Sequence, residues 1–304
     1  MKRTIIFCTL ILFAIMLLGV DGCQTEEVKA NVQGVTMNFV ENAPPASVNV
    51  NQEFPIYVDI LNKGGSYINP GESKFYLGGI GYDLKNVAPS MTNANFLQPE
   101  STFPERIVFA SNAKYTTALE NPFLLPLVLT SCYNYGTVAQ MDICVSNTNA
   151  SAICSISGEK ITSISNSAGP VQLMSVTENL EGNKLQVTIL IENKGVSAIG
   201  ASDIYVPNTD CDKLNIFSEQ QKKNKLKVII NTGKETDWKC KLQSANPPFS
   251  AIPGGSLEGV IPLEPVGKIV CEKTIKEETH MMPLKVSLQY RYVEFITKTI
   301  RIMP

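Results

Sequence analysis

The sequence is poor in the residues that most enzymes and metal proteins need. It contains one histidine, His280, and no C-x-x-C pair. A hydrolytic triad or a Cys-His pair would have to use His280, which precedes a strand-like segment, so we expect no catalytic residues and no enzyme activity. A zinc site needs closer ligand pairs or more imidazoles, so we expect no metal and no cofactor. Gly78-Gly79-Ile80-Gly81 lacks the lysine and the following helix of a phosphate-binding loop.

The chain also lacks a strong excess of positive or negative charge. The formal net charge is −2. The one basic cluster, Lys222, Lys223, Lys225 and Lys227, is typical of a solvated loop and strand edge rather than of a nucleic-acid or lipid-headgroup site. We therefore expect no nucleic-acid partner.

A long apolar run occurs at the N-terminus, where Lys2 and Arg3 precede the run 4–20. This pattern predicts a signal peptide or a membrane-anchor helix over residues 1–23, followed by a tether over 24–33. The segment ending at Cys23 resembles a lipoprotein processing site, so Cys23 is a lipidation candidate; retention and simple cleavage are the alternatives. We expect the body to be exported to the extracellular face of the membrane, with the membrane as a partner through the anchor or a lipid.

Export makes disulfides the default state of the remaining cysteines. They are Cys132, Cys144, Cys154, Cys211, Cys240 and Cys271. Each half of the body holds three, so either one per half is free or the two odd ones meet across the junction. The pairing stays open, because six cysteines allow about fifteen full connectivities. Asn149 begins an Asn-Ala-Ser sequon and is a glycosylation candidate.

Sustained helical periodicity is absent, whereas short alternating apolar segments between Gly, Pro and Asn turns predict an all-β sandwich. One such segment occurs twice: residues 126–145 align without a gap with 283–302. The alignment brings Tyr133 onto Tyr290 and Tyr135 onto Tyr292. Alternation predicts that these tyrosines lie inside, with their hydroxyls hydrogen-bonded.

A second pair of segments, 54–64 and 185–195, ends in Asn-Lys-Gly in both copies. Two landmarks in the same order indicate a duplication. We therefore predict two tandem immunoglobulin-like β-sandwich domains, 34–165 and 168–304, after the N-terminal helix, each with its own core.

The repeated segment itself is predicted to be a hairpin. In the first copy a turn near Val138 would place Cys132 opposite Cys144, within reach of a disulfide, with Cys154 as the competing partner for either.

Three further features have two interpretations each. Trp238 shares a face with Cys240, which favours packing against a disulfide over a surface aromatic that binds sugar. Asp210 and Asp212 flank Cys211 and could join a calcium site. An enzyme site in the irregular insertion 66–125 would have to rest on a carboxylate pair. The carboxylates of that insertion are Glu72, Asp83, Glu100, Glu105 and Glu120.

The apolar strand followed by Asn-x-Gly resembles the CARDB-type immunoglobulin-like modules of prokaryotic surface proteins. The order Cys132-Tyr133-Asn134-Tyr135, Cys144, Cys154 and a second module with three cysteines is similar to uncharacterised archaeal cell-surface proteins with paired modules of this kind. The resemblance covers nearly all of the mature chain and implies an adhesion or spacing role, with no catalytic residue to transfer.

These features lead us to expect an exported, membrane-tethered, non-enzymatic surface protein. It would act as a binding or adhesion module, or as a structural module of the envelope, with an unknown protein or glycan as ligand. The alternative is a carbohydrate-binding or accessory subunit of an extracellular enzyme or surface filament.

Overall fold

The computed structural model describes residues 32–149, 151–161, 165–195, 202–233, 237–242, 249–276 and 278–304. The expected signal or anchor, Cys23 and most of the expected tether lie outside the described residues. Within the ranges that are described, no helix has the length and apolar character needed to cross a membrane.

Strands dominate the described chain, which confirms the predicted all-β class. They are β1 (Val35–Phe39), β2 (Ser47–Asn49), β3 (Glu53–Asn62), β4 (Ser73–Gly78), β5 (Leu84–Lys85), β6 (Ser90–Thr92), β7 (Glu105–Tyr115), β8 (Phe123–Val145), β9 (Val171–Glu181), β10 (Lys184–Asn193), β11 (Asp203–Tyr205), β12 (Lys225–Asn231), β13 (Lys239–Leu242), β14 (Ser250–Ile252), β15 (Ser256–Pro262), β16 (Val266–Thr274) and β17 (His280–Met303). A 3₁₀ turn, Cys211–Lys213, and one short helix, α1 (Phe217–Gln220), complete the elements.

The strands form three sheets. The central sheet has nine strands, with β14-β15-β12-β17-β8-β4-β6 in order and β2 and β11 added along β17. The first outer sheet has the order β1-β3-β7-β5, and the second has the order β13-β16-β10-β9. Most of the buried apolar side chains of all three sheets belong to one hydrophobic core.

Strands β8 and β17 are each a single long strand, so the predicted hairpins are wrong. The two strands pair antiparallel from Phe123↔Ile302 to Val145↔His280. The predicted turn near Val138 does not form, because inward and outward positions alternate through it without a break. Gly136 adds no turn, since its φ is not positive. A long strand and a hairpin show the same alternation, and the sequence pattern does not distinguish them.

The two copies of the repeat are related by a local twofold axis. In the ladder Tyr133 faces Tyr292 and Tyr135 faces Tyr290, although in sequence Tyr133 matches Tyr290. The axis therefore passes through the pair Asn134↔Arg291. Each half of the molecule is completed by the end of the other copy's long strand, as where β2 pairs with Arg301–Met303 of β17. The prediction of a separate core for each copy is therefore wrong, because one hydrophobic core contains buried residues of both copies.

The four repeated tyrosines are buried, as predicted, with ring centroids 5.7 to 6.2 Å apart between neighbours. Tyr133 Oη accepts the Val35 N–H at 2.9 Å, and Tyr290 Oη accepts the Val171 N–H at 3.4 Å. Burial raises the pKa of all four hydroxyls. The rings thus tie the central sheet to the first strand of each outer sheet.

The Asn-Lys-Gly turns are also equivalent in three dimensions. The Gly64 N–H donates to Asn62 Oδ1 at 3.2 Å, and the Gly195 N–H donates to Asn193 Oδ1 at 3.1 Å. A Cβ atom at Gly64 would lie 1.8 Å from the hydroxyl of Tyr135, and one at Gly195 would lie 1.7 Å from that of Tyr292. Each turn therefore requires glycine because a tyrosine occupies the side-chain space.

The six body cysteines form three disulfides. Cys132 pairs with Cys211, Cys144 with Cys154, and Cys240 with Cys271. The Cys132–Cys144 pairing is wrong because both residues lie on one strand. Of the alternatives left open, the structure shows the odd cysteines of the two halves meeting. Cys132 lies on the outward face of β8 but is buried there, in a small cluster with Tyr205, Cys211 and Val293.

Candidate functional site

The loop between β6 and β7 carries two exposed aromatic side chains. Phe96 is 57% exposed and Phe103 is 85% exposed. Both line a cavity of about 300 Å³, here called the aromatic pocket, whose other lining residues include Gln98, Ser101 and Glu105. Apolar rings beside amide, hydroxyl and carboxylate groups form a surface suited to binding, since the rings offer contact area and the polar groups fix orientation.

Buried polar residues hold this loop in place. Asn93 is 1% exposed and its Nδ2 donates to the carbonyls of Asn69 and Asn95 at 2.8 Å each. The Glu105 carboxylate accepts the Ala94 N–H at 2.6 Å. Leu97, between the two rings in sequence, turns inward and its N–H donates to Ile68 O at 3.0 Å. The backbone is therefore fixed while Phe96 and Phe103 point outward.

Exposed aromatic rings concentrate in this insertion. Tyr67 is 68% exposed and Tyr82 is 95% exposed, whereas among the described residues of the second half the exposed phenylalanine is Phe217, at 77%. The sequence interpretation missed Phe96 and Phe103. A usable signal was present, since both interrupt an Asn- and Pro-rich stretch without strand alternation.

A larger cavity of about 480 Å³, here called the junction groove, lies between β1 and the edge of β17. Its lining includes Lys63 and Lys194 of the two Asn-Lys-Gly turns, together with Glu294 and Ile296. Burial raises the pKa of Glu294 to about 8, and a hydroxyl contact from Tyr133 at 3.4 Å lowers it only in part. In β8 the position that matches Glu294 is Thr137, which contacts Tyr290 Oη at 3.1 Å.

The basic cluster is neutralised by its neighbours. Lys222 pairs with Glu219, Lys223 with Asp203 and Lys227 with Glu258, each at 2.8 Å. Lys225 Nζ donates to the carbonyl of Gln221 at 2.8 Å. These contacts fit the solvated-edge interpretation.

Asp210 and Asp212 engage cations and donors of the protein. Asp210 lies 3.0 Å from Lys213 Nζ, whose hydrogen bond lowers the pKa of the carboxyl. Asp212 accepts from Lys74 Nζ and, at 2.7 Å, from Tyr76 Oη, and both bonds lower its pKa. Throughout the described ranges, no group of three His, Cys, Asp or Glu residues is placed to hold a metal ion.

Trp238 is 4% exposed, so its interpretation as a surface aromatic is wrong. Trp238 precedes Cys240 by two residues, and both are buried in the main hydrophobic core. Cys240 is bonded there to Cys271. His280 opens β17, and its Nδ1 lies 2.9 Å from the carbonyl of Glu278. Asn149 is exposed, as a glycosylation site requires.

The carboxylates of the 66–125 insertion hold turns. Glu72 accepts the Asn69 N–H at 3.1 Å, Asp83 accepts from the Thr117 hydroxyl, and Glu105 caps the aromatic loop. Glu100 sits at a positive φ of 50°, and its N–H donates to Gly64 O at 3.0 Å. The carboxylates of Glu72, Asp83 and Glu105 thus stabilise the local backbone. Among the described residues, the structure brings none of these three carboxylates into contact with a catalytic partner.

No family model and no curated protein matches this chain. Among solved structures, the chain is similar to a secreted serine protease, VesC from Vibrio cholerae, at 9% sequence identity and a TM-score of 0.19. The match covers 84% of this chain and 50% of that chain, so the present chain spans about half the length of the protease.

Proposed function

We propose that this chain is an exported cell-surface protein, tethered to the membrane through its N-terminus, that binds a protein or glycan ligand without catalysing a reaction. In this proposal its body consists of two immunoglobulin-like modules related to the CARDB type. The observation that carries it is the aromatic pocket, in which Phe96 and Phe103 project from a loop whose backbone is fixed.

Export is supported by the disulfides. All six cysteines of the body are bonded, and Cys132–Cys211 joins the two halves of the molecule. Disulfides of this density are typical of oxidising compartments and rare in the cytosol. An extracellular location follows if the N-terminal segment directs secretion.

The immunoglobulin-like assignment is supported by antiparallel sheets that meet at a shared core. Hydrogen bonds from backbone N–H groups to buried tyrosine hydroxyls, as at Val35 and Tyr133, resemble the way tyrosine corners fix β-sandwich edges.

Binding is supported by the exposed rings. Contiguous exposed apolar surface with polar neighbours marks interaction sites, whereas scattered apolar residues do not. Phe96 and Phe103 are both exposed and line the aromatic pocket together with Gln98 and Ser101, which meets this description.

The double variant F96A/F103A tests the proposal. We expect it to lose binding to a glycan array or to envelope material in a pull-down, because the two rings supply most of the contact area. The matched control is Phe217→Ala, which removes an exposed ring on the other half of the molecule and should leave binding intact.

Two results would overturn the proposal. One is unchanged binding by F96A/F103A with a folded far-UV spectrum. The other is turnover in a general hydrolase screen that a Glu100 or Asp83 substitution abolishes, because that result would make the protein an enzyme. Surface labelling of intact cells tests the location separately.

A further inference from the structure

The local twofold axis relates two places on the outward face of the central sheet. At the first, Cys132 of β8 pairs with Val293 of β17, and at the second, Gly136 of β8 pairs with Gln289 of β17. The repeat alignment matches Cys132 with Gln289 and Gly136 with Val293. The two places are therefore counterparts and can be compared directly.

The first place is filled and the second is open. Cys132 and Val293 are buried in a small cluster with Tyr205 and Cys211, and the disulfide to Cys211 covers the pair. The second place holds a cavity of about 320 Å³, here called the axial cleft. At the counterpart of the packed Val293 it has Gly136, which has no side chain to fill the space.

Both halves of the molecule line the axial cleft. The first half contributes Tyr67 and Glu72 of the β3–β4 loop and Asn134 of β8, and the second half contributes Pro207 and Gln289. Tyr67 and Asn134 are exposed, so the cleft is open to solvent. The site is complete only where the two halves meet.

Hydrogen bonds hold the two walls of the cleft. Ser66 Oγ donates to Gly136 O at 2.7 Å, and the Ser66 N–H donates to Tyr135 Oη at 3.3 Å. On the other wall, Arg291 Nη2 donates to Pro207 O at 3.1 Å. A preformed cleft loses little conformational freedom when a ligand binds, so less of the binding energy is spent on ordering it.

The charge of the cleft disfavours an anionic ligand. Of the described residues that line it, Glu72 is the charged one, and its Oε2 accepts the Asn69 N–H at 3.1 Å. Like charges repel, so a sulfated, phosphorylated or uronic-acid ligand would be repelled by the Glu72 carboxylate.

The backbone of the cleft floor disfavours an extended peptide. Gln289 is paired on both sides, with Gly136 of β8 and with Lys227 of β12. The Gly136 carbonyl also accepts the Ser66 hydroxyl. Strand addition requires unpaired backbone groups, so a ligand of this cleft has to be recognised by side chains.

Two of these side chains are carboxamides at outward positions of the central sheet. Asn134 is exposed and Gln289 is half-buried. Within the described ranges, no hydrogen bond uses the side-chain amide of either residue. A carboxamide donates and accepts at the same time, which is what neighbouring hydroxyl groups of a ligand require.

We propose that the axial cleft binds an uncharged saccharide, as a ligand site separate from the aromatic pocket. The Tyr67 ring offers an apolar face to the C–H groups of a sugar ring. The amides of Asn134 and Gln289 bond the sugar hydroxyls, and the Glu72 carboxylate accepts from a further hydroxyl. A volume of about 320 Å³ lies at the lower end of small-ligand sites, which fits a single sugar unit.

Isothermal titration of the full chain tests this site. The probes are the methyl glycosides of glucose, galactose, mannose and N-acetylglucosamine, in a detergent that carries no sugar headgroup. We expect at least one probe to bind and Gln289→Leu to weaken that binding roughly tenfold, because a sugar hydroxyl then loses its partner. The matched control is Gln140→Leu, an exposed glutamine of β8 outside the cleft, which should keep the affinity.

A second variant fills the cleft without removing a polar group. Gly136→Val places in the cleft the side chain that Val293 has in the filled counterpart, so binding should be lost. The added Cβ would lie 3.1 Å from Leu288 O, a contact that requires a small shift of the strand. Far-UV spectra check the fold of each variant, and Gln289→Leu, which adds no volume, decides the outcome if Gly136→Val does not fold.

Four results would overturn the proposal. They are no binding of any methyl glycoside, equal affinity in Gln289→Leu and the native chain, tighter binding of glucosamine or glucuronate than of the glucoside, and loss of glycoside binding in F96A/F103A. The last would assign the sugar to the aromatic pocket. The proposed function instead fails when F96A/F103A changes nothing in the pull-down, so the two failures are distinguishable.

Discussion

The two halves of the molecule share a buried skeleton and differ at their open sides. Tyr133 with Val35 and Tyr290 with Val171 make the same bond. Residues 159–161 and 165–167, here called the sealing segment, bond to the outer edge of β9, whereas β1 lines the junction groove. Positions that pack inside are constrained by volume and hydrogen bonding, so they are alike in the two halves. Edge contacts are made by loops, which tolerate change.

The inward position beside the tyrosines shows the same divergence. Thr137 of β8 is buried and contacts a hydroxyl, while the matching Glu294 of β17 faces the junction groove with a raised pKa. A carboxyl group is accommodated where a cavity lies beside it.

The largest expected effect comes from breaking the covalent link between the halves. The double variant C132S/C211S opens a loop of 79 residues and should lower the free energy of unfolding by about 4 kcal/mol, measured by urea denaturation. The variant C144S/C154S opens a separation of 10 residues and should lose about 3 kcal/mol. A larger loss from the short loop would contradict a role of Cys132–Cys211 in holding the halves together.

The second largest effect is expected from removing the ion pair between Lys160 of the sealing segment and Glu178 of β9. Lys160 Nζ lies 3.0 Å from Glu178 Oε2, and the Glu178 side chain is fully buried. Lys160→Met leaves that carboxylate without its cation and should lower the free energy of unfolding by about 3 kcal/mol in thermal or urea unfolding.

The matched control is Lys241→Met, which removes an exposed ion pair with Glu272 and should cost less than about 1 kcal/mol. Equal losses from the two variants would show that the sealing segment contributes nothing beyond surface charge.

Sequence alternation predicted the all-β class and the inward register of the repeated segment. Tyr133 and Tyr135 are buried as expected, because inward positions of a strand recur at every second residue whatever the strand pairs with. For the same reason, alternation does not reveal which strand pairs with β8. Alternation through Val138 fits a continuous strand as well as two strands, and the actual partner of β8 lies at the other end of the chain.

The contacts that distinguish the two halves have no periodic signal. Asn166 seals β9 through its side-chain amide, and Phe96 lies in a loop without alternation. Disulfide pairing follows from the fold and not from spacing, so Cys132–Cys211 required knowledge that the two long strands pair. Loops and long-range pairings are therefore the part that the sequence left open.

A third, smaller effect tests the equivalence of the halves. Gly64→Ala and Gly195→Ala each place a Cβ against a tyrosine hydroxyl, so each should cost about 2 kcal/mol by overpacking, measured by urea denaturation. Similar losses of unfolding free energy would show that the two turns are equivalent, because a tyrosine hydroxyl excludes a side chain from both. Gly71→Ala is a poor control because of its positive φ, whereas Gly81→Ala meets no atom within 4 Å and should be nearly neutral.

The smallest expected effect depends on pH and on the Glu294 position. The folded-state pKa of Glu294, about 8, is raised above its ordinary value of 4.5, chiefly by burial. The folded state therefore keeps a proton that the unfolded state loses, and the stability of the native sequence falls as pH rises from about 4.5 through about 8. Glu294→Gln removes this titration, so its advantage in unfolding free energy, measured by urea denaturation, should vanish at pH 4 and grow as the pH rises from about 4.5 through about 8. Thr137→Val, at the matching position, should shift stability equally at both pH values, because threonine does not titrate; a pH-independent difference for Glu294→Gln would place Glu294 in contact with solvent rather than in the groove wall.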